Sequence, residues 1–78
     1  MSNLEKYNEA FFENLDVKEE QLKGLEYNSI PTWDSVGHMG LVAAVEEAFD
    51  ISLETDDIVE FSSYEKGIEI LKKYNIEM

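Results

Sequence analysis

Apolar residues recur at steps of three and four from the start of the chain. Leu4, Tyr7, Phe11, Phe12 and Leu15 lay one stripe along a helix of about three turns, with Ser2 or Asn3 in place to cap it. From Asp16 to Trp33 the period fails. Gly24, Asn28, Ser29 and the only proline, Pro31, punctuate this stretch, which reads as a long loop that Val17, Leu22, Leu25, Tyr27 and Ile30 can pin to a core. Helical spacing returns at Ser35 and runs to Phe49, with Asp34 as the cap and Leu41, Val45, Ala48 and Phe49 facing inward. A short helix is expected from Asp56 to Glu60 or Phe61, capped by Thr55 and anchored by Ile58 and Phe61. The last helix starts at SSYE, where Ser62 and Glu65 have capping-box spacing, and continues through Ile68, Leu71 and Tyr74. Only DISLE, from Asp50, offers room for a strand. The pattern predicts an all-α fold: a single domain over residues 1–78, with three main helices, one short helix and a long loop between the first two.

Length changes this picture little, because 78 residues make one domain near the lower limit of what folds unaided. The absence of cysteine changes it more. It excludes a disulfide framework, a thiolate metal site and any thiol chemistry of the chain's own. No stretch reads as a signal peptide or as the roughly 18 apolar residues of a membrane span, so a cytoplasmic protein without membrane insertion is expected.

Charge is the strongest compositional signal: eighteen acids stand against six lysines and no arginine, for a net charge of −12. Nucleic-acid binding needs the opposite balance and is not expected. The lysines cluster towards the two ends, which leaves ten acids and no lysine between Gly24 and Glu65. Such a span is either plain solvated surface or a field that steers basic partners; composition does not separate the two.

Inside that span lies TWDSVGHM, residues 32–39, where a polar run gives way to an apolar one. Its serine has three readings. As a nucleophile, Ser35 would pair with His38 three residues on, but the chain has neither G-x-S-x-G nor a second histidine, so no catalytic residue is assigned. His38 then reads as a partly exposed surface residue, and Trp33 as packing the loop end onto the bundle. As a cap, Ser35 would assist Asp34. As an attachment point, it would carry a group that the twenty amino acids do not supply. The acids Glu54, Asp56, Asp57 and Glu60 lack the spacing and central glycine of an EF-hand and read as a solvated face, with no dedicated metal site.

The stretch WDSVGHMGLVAAVEEAFDI decides among the three, because it resembles the acyl carrier protein family, whose central motif is Asp-Ser followed by a branched apolar residue: here Asp34, Ser35 and Val36. The order of elements resembles that family too. The resemblance implies that Ser35 carries 4′-phosphopantetheine, transferred from coenzyme A, and that the thiol of this group holds an acyl or aminoacyl thioester. The missing cysteine is consistent with this, since the thiol arrives with the cofactor. Asp34 would cap the helix and present the site. The implied partners are a phosphopantetheinyl transferase and acyl- or aminoacyl-loading and acyl-transfer enzymes with basic docking patches, of a lipid, polyketide or specialised pathway. The chain itself would be a monomer that catalyses nothing. Its partner-binding strip would comprise Val36, Met39, Val42 and Ala43, rimmed by Glu46, Glu47, Asp56, Asp57 and Glu60. A rival from another class is an interaction module on the same fold with Ser35 unmodified. Gly37 and Gly40 depart from the commonest fatty-acid carriers and favour a specialised pathway. They imply either a pliable helix start or close approach by the loop or another helix.

Overall fold

The computed structural model describes residues 2–78, which form five helices. Helix α1, Asn3–Leu15, begins in a capping box: Ser2 Oγ accepts from the Glu5 N–H at 3.1 Å, and the Glu5 carboxylate accepts from the Ser2 N–H at 2.9 Å. The bond from the Ser2 N–H, followed by the Ser2 hydroxyl, holds the Glu5 carboxyl below its usual pKa. Asp16 ends the helix in the left-handed region, at φ 54°. The buried face is Tyr7, Ala10, Phe11 and Leu15; of the stripe expected here, Phe12 is half-buried and Leu4 is exposed.

The stretch read as a continuous loop contains one turn of helix. Helix α2, Glu19–Leu22, starts where Gln21 Oε1 accepts the Lys18 N–H at 2.9 Å, and it buries Leu22. Four residues are too few to show a period, so sequence pattern does not reveal it. Further on, the chain pairs with a distant segment through an isolated antiparallel bridge of Glu26 with Ser63. Tyr27 N–H donates to the Ser62 carbonyl and Tyr64 N–H to the Leu25 carbonyl, both at 2.9 Å. Val17 and Leu25 are buried as expected, whereas Ile30 is half-buried and Tyr27 is 37% exposed.

Helix α3 spans Ser35–Phe49, the bounds expected from the pattern. It packs along α1 and turns Leu41, Val42 and Val45 inward, with Ala48 and Phe49 at the margin. Helix α4, Thr55–Glu60, departs from expectation at its start: Thr55 is its first helical residue, and Glu54 precedes it without a side-chain cap. Helix α5, Tyr64–Lys72, is capped not by Ser62 but by Ser63, whose Oγ accepts from the Lys66 N–H at 3.0 Å. Glu65 leaves the cap to accept the Gly24 N–H at 3.0 Å, and Tyr74 lies beyond the helix end. DISLE forms no strand; Leu53 within it is buried, its N–H held by Glu46 Oε2 at 2.8 Å.

Aromatic rings fill the centre. Phe11 meets Trp33 edge-on at 5.5 Å and Tyr7 at 5.0 Å, while Phe61 stands 6.3 Å from both Trp33 and Tyr7. The Tyr7 hydroxyl donates to the Tyr64 carbonyl at 2.7 Å, and burial, reinforced by Tyr64 and Glu65, pushes that phenol well above its usual pKa. Gly67 completes the packing, because the Tyr7 hydroxyl and the Phe61 ring occupy the space that a Cβ would need.

Candidate functional site

Ser35 is the first residue of α3, and Asp34 caps that helix: its Oδ1 accepts from the Gly37 N–H at 2.8 Å. The remaining N–H groups of the first turn have no intrahelical acceptors. Ser35 is exposed, and its Oγ lies 3.3 Å from the hydroxyl of Tyr27.

The loop delivers these groups by tight packing. Thr32 Oγ1 donates to the Leu15 carbonyl at 2.6 Å, and the Asn28 N–H donates to the Trp33 carbonyl at 2.9 Å. At Gly37 the Thr32 carbonyl oxygen lies where a Cβ would stand, with Leu15 Cδ2 3.2 Å from that position. Close approach, rather than pliability, therefore accounts for Gly37. Gly40 is different: an added Cβ would meet only Asn14 Oδ1, the end of a side chain, at 3.1 Å.

His38 is half-buried, and both ring nitrogens are engaged. An indole N–H can only donate, so Nδ1 accepts from Trp33 Nε1 at 3.0 Å, and Nε2 carries the proton that goes to the Ile58 carbonyl at 2.8 Å. The pairing of Ser35 with His38 that the spacing allowed is not formed: the serine faces Tyr27 and the histidine bridges α3 to α4. His38 is a structural tie, where the sequence suggested a surface residue.

Beside Ser35 opens a cleft of about 330 Å³ lined by Tyr27, His38, Met39, Ile58, Val59 and Phe61, together with Ser35 and Ser62. Apolar side chains surround it in solvent: Val36 is 81% exposed, Met39 61% and Val59 75%. Ala43, Glu47, Asp56 and Glu60, all expected at the partner face, are exposed. Two members of that expected strip are corrected. Val42 is 2% exposed and belongs to the core, because it falls beside Leu41 on the side of α3 that faces inward. Asp57 is 5% exposed and accepts from Lys73 Nζ at 2.5 Å and the Tyr74 hydroxyl at 2.6 Å. Those two bonds hold its carboxyl below the usual aspartate pKa and raise the pKa values of Lys73 and Tyr74. Glu46 is half-buried and occupied by Leu53. Among the described residues no cluster of three metal-ligating side chains occurs.

Sequence reasoning missed Val59, Tyr27 as the neighbour of Ser35, and the Asp57–Lys73–Tyr74 cluster. A six-residue helix is too short to show that Ile58 faces in and Val59 out. Tyr27 reaches Ser35 only because the loop pairs with Ser62 and Tyr64, a contact that local spacing does not encode.

The site thus consists of an exposed serine behind a capping aspartate, beside an apolar cleft of an all-α, acyl-carrier-like bundle. Along its length the chain is similar to two proteins named acyl carrier protein, from Buchnera aphidicola subsp. Acyrthosiphon pisum strains Tuc7 and APS. Each is 28% identical over 79 residues, covering 99% of this chain and 99% of the relative. No family model matches the chain. No solved structure matches it. Among the described residues no helix is long and apolar enough to cross a membrane.

Proposed function

We propose that the chain is a single-domain acyl carrier protein in which Ser35 is esterified through its hydroxyl to 4′-phosphopantetheine. The observation that carries this reading is the exposed Ser35 Oγ at the start of a 15-residue helix, beside an apolar cleft, with the only histidine bound elsewhere at both nitrogens. A serine with no base is a poor nucleophile of its own and a suitable acceptor for a transferase that brings the catalytic groups. The similarity to two acyl carrier proteins supports the same reading.

The residues present suit the group. The N–H groups at the start of α3 that lack intrahelical acceptors complement the charge of a phosphodiester on Ser35. Asp34 holds the first turn in shape by its bond to Gly37. When bound, the phosphopantetheine supplies the thiol that holds an acyl or aminoacyl group as a thioester. Val36, Met39 and Val59, with Ala43 and the acids Glu47, Asp56 and Glu60, form the surface offered to partner enzymes. Charge speeds encounter with a basic partner, and a small apolar contact permits release.

Incubation with a broad-specificity phosphopantetheinyl transferase and coenzyme A is expected to add the mass of one phosphopantetheinyl group, and Ser35→Ala to abolish the gain while leaving the helical circular dichroism intact. A Ser35→Ala protein that still gains the mass sinks the assignment, and an unmodified wild-type chain sinks the carrier reading.

A further inference from the structure

The cleft beside Ser35 has a built floor. The rings of His38 and Phe61 both line it, and His38 is tied to Trp33 at 3.0 Å and to the Ile58 carbonyl at 2.8 Å, with the Trp33 ring 6.2 Å away and nearly parallel. Trp33 is wholly buried and Phe61 is 1% exposed; Phe11 and Tyr7 fill the space beyond them. The polar side-chain atoms buried among the described residues all have partners.

We infer that the acyl group carried on Ser35 stays outside the helical bundle, in the cleft and no deeper, so that the protein serves short or polar acyl groups and does not enclose long alkyl chains. The inference rests on the carrier reading. An alkyl chain entering between α3 and α4 has to displace the His38 ring. That breaks two hydrogen bonds at once and strands the Trp33 indole N–H, which has no other acceptor and cannot find one on a hydrocarbon. The space behind is already close-packed with aromatic rings, so a chain that entered would have to displace them as well. A short group in the cleft meets neither obstacle: it contacts Met39, Ile58 and Val59. Polar substituents have partners there too. Esterification removes the Ser35 proton, which leaves the Tyr27 hydroxyl free to turn to the phosphodiester or the acyl group, and the Ser62 hydroxyl lies on the same rim.

The test is to load Ser35 from acetyl-, hexanoyl- and dodecanoyl-coenzyme A with the transferase, verify each product by mass, and read Trp33 fluorescence and the backbone amide shifts of Phe11, Leu41 and Val45. Trp33 is the only tryptophan, so its emission reports on the core alone. Emission and core amides are expected to be the same for all three chains, with changes confined to Tyr27, Met39 and residues 58–62. Core shifts that grow with chain length overturn the inference while leaving the carrier reading intact; failure of all three to load overturns both. His38→Ala is expected to make the dodecanoyl form alone shift Trp33. A folded His38→Ala protein as insensitive to chain length as the wild type overturns the role given to His38, and should that variant not fold, the wild-type series still decides.

Discussion

Helices α1 and α4 are held to the bundle by opposite means. Helix α1 has thirteen residues, a reciprocal cap and a buried face that includes two aromatic rings. Helix α4 has six residues and no side-chain cap; His38 grips its Ile58 carbonyl, and Lys73 and Tyr74 grip its Asp57. Burial is non-directional and spread over many contacts, so α1 yields only with the core. A few directional bonds can be broken singly. The wall of the cleft beside Ser35 therefore depends on bonds that single substitutions can remove, while the loop and helix start that hold the serine are packed tightly.

Truncating the aromatic centre should have the largest effect on this contrast. Phe11→Ala is expected to cost about 3–5 kcal/mol, the range for a large aromatic removed from a core, read from the urea midpoint. A loss confined to α4 would mean that the two helices are not held differently. Gly37→Ala comes next. Alanine gains about 0.8–1.0 kcal/mol in helix propensity, but its Cβ would collide with the Thr32 carbonyl, and forced overpacking costs about 1–3 kcal/mol. Net destabilisation is expected; a net gain would show that the loop can retreat and that the helix start is pliable after all.

Asp57→Asn should have the smallest effect, concentrated in α4: faster amide exchange at residues 57–61, with α1 unchanged. The pH dependence follows from the lowered carboxyl pKa. The contribution of Asp57 is complete above the usual aspartate value of 3.8 and is lost as pH falls through the lower folded value. The difference in melting temperature between wild type and Asp57→Asn should hold steady from neutral pH and shrink only below that value. A difference that vanishes well above it would assign the stabilisation to another group.

The start of α3 was legible because three independent local signals coincide there: a capping aspartate, the end of a polar run and the onset of helical spacing. Helix α5 was misread by one residue because Ser62 and Ser63 are both competent caps. The choice fell to Ser63 once the Ser62 carbonyl was taken by Tyr27 and Glu65 by Gly24. Val42 was misplaced for a related reason: on a mostly apolar helix, spacing alone does not say where the inward face ends.

From its own residues the sequence determined the helical class, the bounds of α3, the serine behind a capping aspartate and the acidic, lysine-free span around it. These depend on periodicity, caps and charge, which act over a few neighbouring positions. Tertiary structure alone decided that His38 bridges α3 and α4, that Tyr27 lies against Ser35, that Asp57 is buried and paired with the exposed Lys73, and that the Thr32 carbonyl requires a glycine at position 37. Two of these contacts tie α4 to α3 and to the end of α5, and the other two join the loop to the helix it feeds. Each is set by which surfaces remain to be buried once the helices pack, a quantity that belongs to the whole chain and to no local window of it.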